Sequence, residues 1–246
     1  MGALFHNLIY QPLYNILVFL YNVIPGSDFG IAIIAITVLL RLLLVPIYKK
    51  QIESQKKLQE LQPKIKKVQS KNKGNKEQQA KELMELYKEH KTNPFSGCLP
   101  LIIQLIFLIA IYRILINISA AGLTVDVSQL YGFVKNPGNI NQFFITIVDL
   151  TKPSVVIAAL AAIAQFFQTK MLMANAPAKN EGDAQKDDQQ PDMAQIMSKQ
   201  MLFLGPILTL FIGIKFAAGL SLYWLTSTVF MLVQQVYMQK ETPKNK

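Results

Sequence analysis

Long apolar blocks alternate with charged blocks along the sequence, and this pattern predicts a membrane protein. About 20 helical residues cross the roughly 30 Å of hydrocarbon in a bilayer. A soluble domain does not need several blocks of that kind in its core. We therefore predict an all-α, polytopic fold with a core of five transmembrane helices. The predicted spans are residues 29–48, 97–118, 153–173, 200–214 and 219–238.

Residues 3–24 form another apolar segment, but its composition differs from that of the five blocks. It carries Pro12 and the side-chain amides of Gln11 and Asn15, which are costly in hydrocarbon. Tyr and Phe are frequent in it, as they are in interfacial belts. We predict that residues 1–27 form an external amphipathic helix lying in the interface. The alternative is a sixth span, which would place the N-terminus inside.

The Lys-rich connection at residues 49–93 predicts a helical hairpin. Gln, Lys, Glu and Leu dominate it, and all four are good helix formers. One apolar stripe runs along the first arm, the turn falls at residues 71–75, and the second arm is predicted at about 76–90. Its length favours contact with anionic lipid headgroups, an arriving polypeptide or the ribosome. Alternatively, it is a solvated loop whose Lys residues only fix the topology.

Charge asymmetry predicts the orientation in the membrane. Residues 49–93 contain 13 Lys and 6 Glu, whereas residues 1–27 contain no charged side chain. Lys-rich connections stay in the cytoplasm, so the N-terminus is predicted outside and the C-terminus inside. The 174–199 linker and the 241–246 tail are then cytoplasmic. The predicted location is the plasma or inner membrane, crossed several times by the core at residues 28–240.

Arg41 lies inside the otherwise uncharged run at residues 29–48. A guanidinium at that depth costs about 2.5–3.5 kcal/mol on insertion scales unless it meets water or a polar partner. We predict a hydrophilic groove open to the cytoplasm. The alternatives are snorkelling of Arg41 to the headgroups, and Thr and Gln side chains that only bond across helices. The candidate groove residues are Thr37, Arg41, Gln104, Gln165, Tyr223 and Trp224.

The sequence lacks the motifs of several other functional classes. It contains no nucleotide-binding Gly-rich loop, no HExxH motif and no carboxylate in any of the five blocks. One cysteine and two separated histidines exclude an internal disulfide and suggest no metal cluster. We therefore predict no enzymatic chemistry and no cofactor. A small-solute transporter or channel should show repeat symmetry and a polar path across the membrane, and the sequence displays neither.

An ordered set of short motifs resembles one known family. The chain is similar to the YidC/Oxa/Alb family of membrane protein insertases over about residues 28–240. The first matching positions are Phe29-Gly30-Ile31, Thr37, Arg41, Pro46, Leu61-Gln62-Pro63-Lys64 and Leu86-Tyr87-Lys88-Glu89. The later ones are Asn93-Pro94-Phe95-Ser96-Gly97-Cys98-Leu99-Pro100, Gln104, Gly219-Leu220-Ser221-Leu222-Tyr223-Trp224 and Gln234-Gln235.

The resemblance implies a five-helix core with a cytoplasmic hairpin and a hydrophilic groove in the inner leaflet. It implies an insertase and chaperone that inserts nascent membrane proteins, alone or beside the Sec translocon. The implied partners also include the ribosome and anionic lipid headgroups, with no nucleic acid apart from ribosomal RNA. Arg41 is implied to be the groove cation. The other implied groove residues are Thr37, Tyr223 and Trp224, which face the substrate, and Gln104 and Gln165.

The chain also departs from this family at two places. Ala217-Ala218 stands where many relatives have Pro-Ser, so the turn before the last span is expected to differ. The linker at residues 174–192 is long and acidic. A structural subunit of a translocation complex, which uses the hairpin only for docking, is the remaining alternative.

Overall fold

The computed structural model describes residues 2–72, 74–93, 99–174 and 193–241. These ranges are mostly helical, and the predicted all-α, polytopic fold is confirmed. In chain order the helices are α1 (Ala3–Phe5), α2 (Gln11–Val23), α3 (Phe29–Glu60), α4 (Gln62–Lys71), α5 (Lys76–Glu89), α6 (Leu99–Ala120), α7 (Val155–Ala174), α8 (Met193–Lys215) and α9 (Ala218–Glu241), with a π-helical turn at His6–Tyr10 between α1 and α2.

Within the described ranges, four helical segments are long and apolar enough to cross a membrane. A fifth apolar segment, Leu202–Lys215 in α8, is shorter. Helix α9 has 24 residues but does not reach the same apolarity. The reason is that its buried side carries hydroxyl and amide groups, so its mean hydropathy falls although those groups are shielded from lipid. The four segments are Ala3–Val23, Phe29–Ser54, Ile102–Ala120 and Val155–Leu172.

Helix α9 lies at the centre of the bundle, where it packs against α3, α6 and α7, while α8 packs chiefly along α7. The largest apolar core fills the half of the bundle next to the α6–α7 connection, residues 121–154. Fully buried isoleucines such as Ile36 on α3 and Ile111 on α6 belong to it. We call this half the loop end and the opposite half, from which α3 continues towards α4, the hairpin end.

The helical segment from α1 through α2, which we call the N-terminal helix, packs along the loop end. One side of it is buried, and the hydroxyl of Tyr14 accepts a hydrogen bond from Asp126 N at 2.7 Å. Asn15 donates to Gln129 O at 2.8 Å and accepts from Tyr131 N at 2.6 Å. All three partners belong to the 121–154 loop. The opposite side of the helix is exposed and apolar, with Leu4, Leu8, Phe19 and Val23.

Helix α3 does not end at residue 48, where its apolar run ends, but continues to Glu60 with Pro46 inside it. The Gln, Lys and Glu residues beyond the apolar run are good helix formers, so nothing in the sequence stops the helix there. Helix α4 starts directly afterwards, with Pro63 in its first turn, where proline lacks no hydrogen bond that the helix needs. Helices α4 and α5 pack against each other as a hairpin.

Glu82 joins the two arms of the hairpin next to its turn. Its carboxylate accepts hydrogen bonds from Asn72 at 2.9 Å and from Gln78 at 3.1 Å, and it pairs with Lys71 at 3.3 Å. Asn75 caps α5 by accepting a hydrogen bond from the backbone N–H of Gln78 at 3.0 Å. The turn is therefore held by an acceptor network centred on one carboxylate.

Protonation of Glu82 should loosen this turn. Hydrogen bonds from Asn72 and then Gln78 hold the pKa of Glu82 below its ordinary value of 4.5. A group whose pKa is lowered by folding stabilises the folded state above its unfolded pKa, and that contribution is lost as pH falls through the folded pKa. We expect amide hydrogen exchange at the turn, normalised to intrinsic rates, to stay constant from about pH 7 to about pH 5 and to rise below 4.5.

The control for this experiment is a pair of matched variants. Glu82→Gln should remove the pH dependence of exchange at the turn, because a carboxamide does not titrate in this range. Glu77→Gln, in the first turn of α5 and outside the Glu82 network, should retain it. Exchange that is equally fast at pH 7 and pH 4 in the unmodified chain would contradict the role given to Glu82.

The 121–154 loop contains a 3-10 turn at Val127–Gln129 and two short antiparallel strands, β1 (Phe143–Phe144) and β2 (Val148–Asp149). The loop also supports the start of α9. The backbone N–H of Ala218 donates to Lys152 O at 2.8 Å, and that of Gly219 donates to Leu150 O at 3.0 Å. These bonds use two of the donors that a helix N-terminus leaves without partners.

Candidate functional site

Arg41 lies among α3, α6 and α9 at the edge of the apolar core, with only 3% of its surface exposed. Its Nε donates a hydrogen bond to Ser227 Oγ at 2.9 Å. Its Nη2 donates to the same hydroxyl and to Gln104 Oε1. The guanidinium carbon lies 5.0 Å from the centre of the Tyr48 ring, within range of a cation–π interaction. Side chains of three helices therefore converge on one cation.

Helical periodicity explains why these residues meet. Arg41 and Tyr48 are seven residues apart, about two turns, so both face the same side of α3. Tyr223 and Ser227 are four residues apart and share one face of α9. Gln104 of α6 joins them: its Nε2 donates to the Tyr223 hydroxyl at 3.4 Å, and its Oε1 accepts from Ser227 Oγ at 3.2 Å. We call Arg41, Tyr48, Gln104, Tyr223 and Ser227 the Arg41 cluster.

Among the residues that the structure describes, no acidic side chain pairs with Arg41. Arginine stays charged in proteins, and none of the five apolar blocks contains Asp or Glu. Two of the three guanidinium nitrogens, Nε and Nη2, donate hydrogen bonds to uncharged side chains. The third, Nη1, is buried and has no hydrogen-bond partner among the described residues. A buried donor of this kind is costly unless water or a ligand meets it. Nη1 can donate a hydrogen bond to a carbonyl or carboxylate oxygen.

A second polar cluster lies on another face of α9, against α7. Gln165 Oε1 accepts hydrogen bonds from Trp224 Nε1 at 3.3 Å and from Thr228 Oγ1 at 3.4 Å. One turn nearer the hairpin end, Gln168 Nε2 contacts Met231 Sδ at 3.4 Å. Successive residues on a helix point about 100° apart, which is why Tyr223 and Trp224 face different neighbours. We call Gln165, Trp224 and Thr228 the Gln165 cluster.

The structure thus divides the residues predicted from the sequence. Arg41, Gln104 and Tyr223 come together in one cluster, and Gln165 and Trp224 come together in the other. Thr37 is buried, and its hydroxyl donates to the carbonyl of Ile33 in its own helix at 2.6 Å. This bond is an ordinary way to satisfy a threonine inside a helix.

Sequence reasoning missed Ser227 and Tyr48. A signal for both was present, because each lies a whole number of helical turns from a residue that was identified: Ser227 four residues after Tyr223, and Tyr48 seven after Arg41. Serine is common in membrane helices, so polarity alone gave no reason to select it.

The burial of Arg41 differs from the open, wetted setting expected from the sequence. The Tyr48 ring covers the guanidinium on one side, and the Gln104 and Ser227 side chains accept hydrogen bonds from it on other sides. The physical reason is that α3 continues past the apolar run as an unbroken helix, which keeps Tyr48 two turns from Arg41. The whole guanidinium is therefore enclosed, and Nη1 is its one nitrogen without a hydrogen-bond partner in the described part of the chain.

No cluster in the described part of the chain suits a metal ion. Groups of three or more His, Cys, Asp or Glu side chains with suitable placement are absent from those residues. Cys98 and residues 175–192 of the predicted linker lie outside the described residues.

Comparisons with known proteins place the chain in a family. The family model for the 60Kd inner membrane protein matches residues 19–245. A protein of Streptomyces avermitilis named membrane protein insertase YidC is 31% identical over 244 residues, 91% of this chain and 55% of that protein. One of the same name from Fusobacterium nucleatum is 31% identical over 95% of this chain and 98% of its own length. Membrane protein insertase MisCA of Bacillus subtilis is 33% identical over 86% of this chain and 70% of its own length.

The relatives differ in how much of their length the chain covers. It spans about half of the Streptomyces protein and 36% of a YidC protein of Citrifermentans bemidjiense, but nearly all of the Fusobacterium protein. The resemblance drawn from the motifs is confirmed, and the chain belongs to the 60Kd inner membrane protein family.

Proposed function

We propose that this chain is a membrane protein insertase and chaperone, which moves segments of nascent membrane proteins into the bilayer without covalent chemistry. The names of its relatives support this class of function, and one of them has nearly the same length. The Arg41 cluster is the observation that carries the proposal. A multi-pass membrane protein has little reason to keep a buried cation without a counter-ion unless a transient ligand uses it.

The free donor of Arg41 gives a polar flank a place to bind part-way across the membrane. Moving an unpaired carbonyl or carboxylate into hydrocarbon is strongly unfavourable. A charge-assisted hydrogen bond from Nη1 would offset part of this cost, by about 1.5–3 kcal/mol. The bond would be temporary, because the flank continues to water on the far side. A single cation therefore lowers the barrier without trapping the substrate.

The apolar part of the substrate would leave the protein sideways into lipid. Helices α3 and α9 flank the Arg41 cluster, and their outer faces near it are apolar and exposed, with Leu42, Leu43, Val229 and Val233. A hydrophobic segment could slide along these side chains while its flank is held at Arg41. Transfer of its apolar surface out of water, worth about 25 cal/mol per Å², would supply the driving force.

The orientation that suits this mechanism has the hairpin end in the cytoplasm and the loop end outside. The Lys-rich hairpin would then face the nascent chain and the ribosome, and its Lys residues could also contact anionic headgroups. Joint action with the Sec translocon belongs to the same proposal. The N-terminal helix would lie along the outer interface, because its partners are in the 121–154 loop and its other side is apolar.

Reconstitution tests the proposed function directly. Purified chain in liposomes should increase the protease-protected fraction of a newly synthesised single-span protein with a short acidic end, compared with empty liposomes. No energy source other than the substrate's own partitioning should be needed. Protection equal to that of empty liposomes would contradict the proposal and favour a structural subunit. Passage of small solutes through the liposomes would favour a transporter or channel instead.

A further inference from the structure

The connection between β1 and β2 is a tight turn made of residues that rarely adopt its backbone conformation. Phe144 pairs with Val148, and the backbone N–H of Ile147 donates to Phe144 O at 3.1 Å. The two central residues, Ile145 and Thr146, have φ angles of +50° and +60°. Hairpin turns with two positive φ angles favour Asn and Gly, whereas both residues here are β-branched, for which a positive φ is an outlier.

The surrounding structure holds the turn in this conformation. Asp28 Oδ2 accepts a hydrogen bond from the backbone N–H of Ile145 at 2.6 Å. Phe144 lies directly against Gly30, where an added Cβ would come within 2.7 Å of Phe144 Cβ. Only glycine permits this approach, so the hairpin is fixed to the first turn of α3. Backbone strain persists where a structure over-determines it and is often found where the side chains have a function.

The same contacts fix the level of the turn relative to the membrane. Asp28 Oδ1 accepts a hydrogen bond from the backbone N–H of Ile31 at 3.0 Å and so caps α3. Gly30 is therefore at the point where a membrane-crossing helix begins. The tip of the hairpin therefore lies at the level of the first turn of α3, at the loop end of the bundle.

The tip is apolar and exposed. Ile145 is 56% exposed and Ile147 is 80% exposed, and Thr146 between them is uncharged. Exposed apolar side chains continue from the tip level onto the beginnings of the neighbouring spans, at Ile31 of α3 and at Val155 of α7. A turn in water would gain from Asn-Gly at its centre, both in backbone energy and in solubility. Two exposed isoleucines on a strained turn need an apolar environment.

We propose that the tip Ile145-Thr146-Ile147 inserts into the lipid leaflet at the loop end of the bundle and anchors the 121–154 loop to the membrane surface. Lipid is the occupant because the tip adjoins the apolar surface by which α3 already faces the bilayer. The charged base of the hairpin agrees with this arrangement: Asp149 pairs with Lys152 at 3.1 Å, away from the tip. The anchor holds in place the loop that supports the start of α9.

Fluorescence in liposomes tests the anchor independently of insertase activity. In a Cys98→Ser background, an environment-sensitive dye is attached to Ile147→Cys and, as the control on the same loop, to the exposed position of Lys135→Cys. Ile145 remains at the tip in the Ile147→Cys variant, and full burial of one isoleucine side chain favours the inserted state by about tenfold or more. We therefore expect the iodide quenching constant of the dye at 147 to be about tenfold lower than that of the dye at 135. Lipids with a nitroxide near the headgroup should quench the dye at 147 only.

A second variant distinguishes lipid insertion from contact between copies of the chain. Glycine adopts positive φ without strain, so Ile145→Gly should keep the turn while removing one anchor, and the dye at 147 should become more accessible to iodide. Three results would overturn the proposal. They are equal iodide quenching at 147 and 135, unchanged access in the Ile145→Gly variant, and protection that disappears when the protein is diluted in excess lipid, which would indicate contact between copies.

Discussion

Replacing Arg41 with Met should slow the insertion of a substrate with an acidic translocated end by roughly ten- to hundredfold, because a charge-assisted hydrogen bond contributes about 1.5–3 kcal/mol. Met fills most of the space of the arginine stem without a charge. Gln104 and Ser227 can keep their mutual hydrogen bond, which is 3.2 Å long, so the bundle is expected to stay folded. The measurement is the initial rate at which the substrate becomes protease-protected in liposomes that contain each variant.

Two further variants make this experiment specific to the Arg41 cluster. Arg41→Lys keeps the charge but loses the planar guanidinium that bonds to Ser227 and Gln104 together. Its insertion rate should therefore lie between those of the unmodified chain and the Arg41→Met variant. Arg113→Met removes a charge from an exposed position on α6 and should leave the rate unchanged. A substrate with an uncharged flank should be less sensitive to Arg41→Met, because a bond from the guanidinium to a neutral carbonyl lacks the attraction between opposite charges. Equal loss for both substrates, together with a lower unfolding temperature, would show that Arg41 is only structural.

The apolar blocks predicted the bundle because membrane-crossing helices depend on composition more than on tertiary contacts. Arg41 could be identified for a related reason: a charge inside an uncharged run is too costly to be kept without a polar environment. The sequence could not tell which helices surround it. That depends on the rotation of α6 and α9 about their own axes, and packing decides that rotation.

The two polar clusters illustrate where sequence reasoning stops. Tyr223 and Trp224 are neighbours in the sequence and were expected to share a groove, yet they bond to different helices. The angle between successive helical residues could have predicted this separation. Ser227 could not be selected by type, because serine in a membrane helix usually bonds within its own helix or to a neighbour.

The 121–154 loop was the least predictable part of the chain. Its strands have two residues each, too short for an alternating pattern to be visible. Its turn has Ile145-Thr146 at the positions where Asn-Gly is typical, so the usual hairpin signal is absent. The close approach of Phe144 to Gly30 is likewise a tertiary property, since glycine is common in membrane helices and its presence at the start of a span names no neighbour.

The shape of the core explains how a membrane bundle can hold a buried cation. Apolar packing is concentrated at the loop end, where α2, α3, α6 and α9 meet the 121–154 loop. Towards the hairpin end the contacts between α9 and its neighbours become polar, with Ser227, Thr228 and Gln235 buried. Rigid packing at one end thus positions the helices that carry the cluster at the other. Stability and the proposed site are therefore placed in different halves of the same helices.

Gly213→Ala should destabilise the bundle, although alanine is the better helix former. Gly213 of α8 faces α7 at a close crossing, where an added Cβ would lie 2.6 Å from Ala158 Cβ and 3.1 Å from Ala158 Cα. The second of these atoms belongs to the backbone, so relief requires the helices to move apart. Overpacking costs about 1–3 kcal/mol, against a gain of up to about 1 kcal/mol in helix propensity. We expect a fall of roughly 2–8 °C in unfolding temperature, measured in detergent.

Gly205→Ala is the matched control on the same helix. Its added Cβ would meet its nearest neighbour, the Gln165 side chain, at 3.9 Å, which is ordinary van der Waals contact. Gly205 directly precedes Pro206, and a proline disfavours helical backbone for a preceding residue that has a Cβ, so the gain in helix propensity is smaller than at Gly213. The difference between the two variants therefore gives a lower limit for the cost of packing at the α7–α8 crossing. Gly205→Ala should lower the unfolding temperature less than Gly213→Ala does. Equal shifts in both variants would mean that α7 and α8 do not approach as closely in the membrane as they do here. In that case a third variant, Gly213→Leu, decides the question. If it lowers the unfolding temperature more than Gly213→Ala does, the position is sterically crowded. If it does not, there is no case for a close crossing.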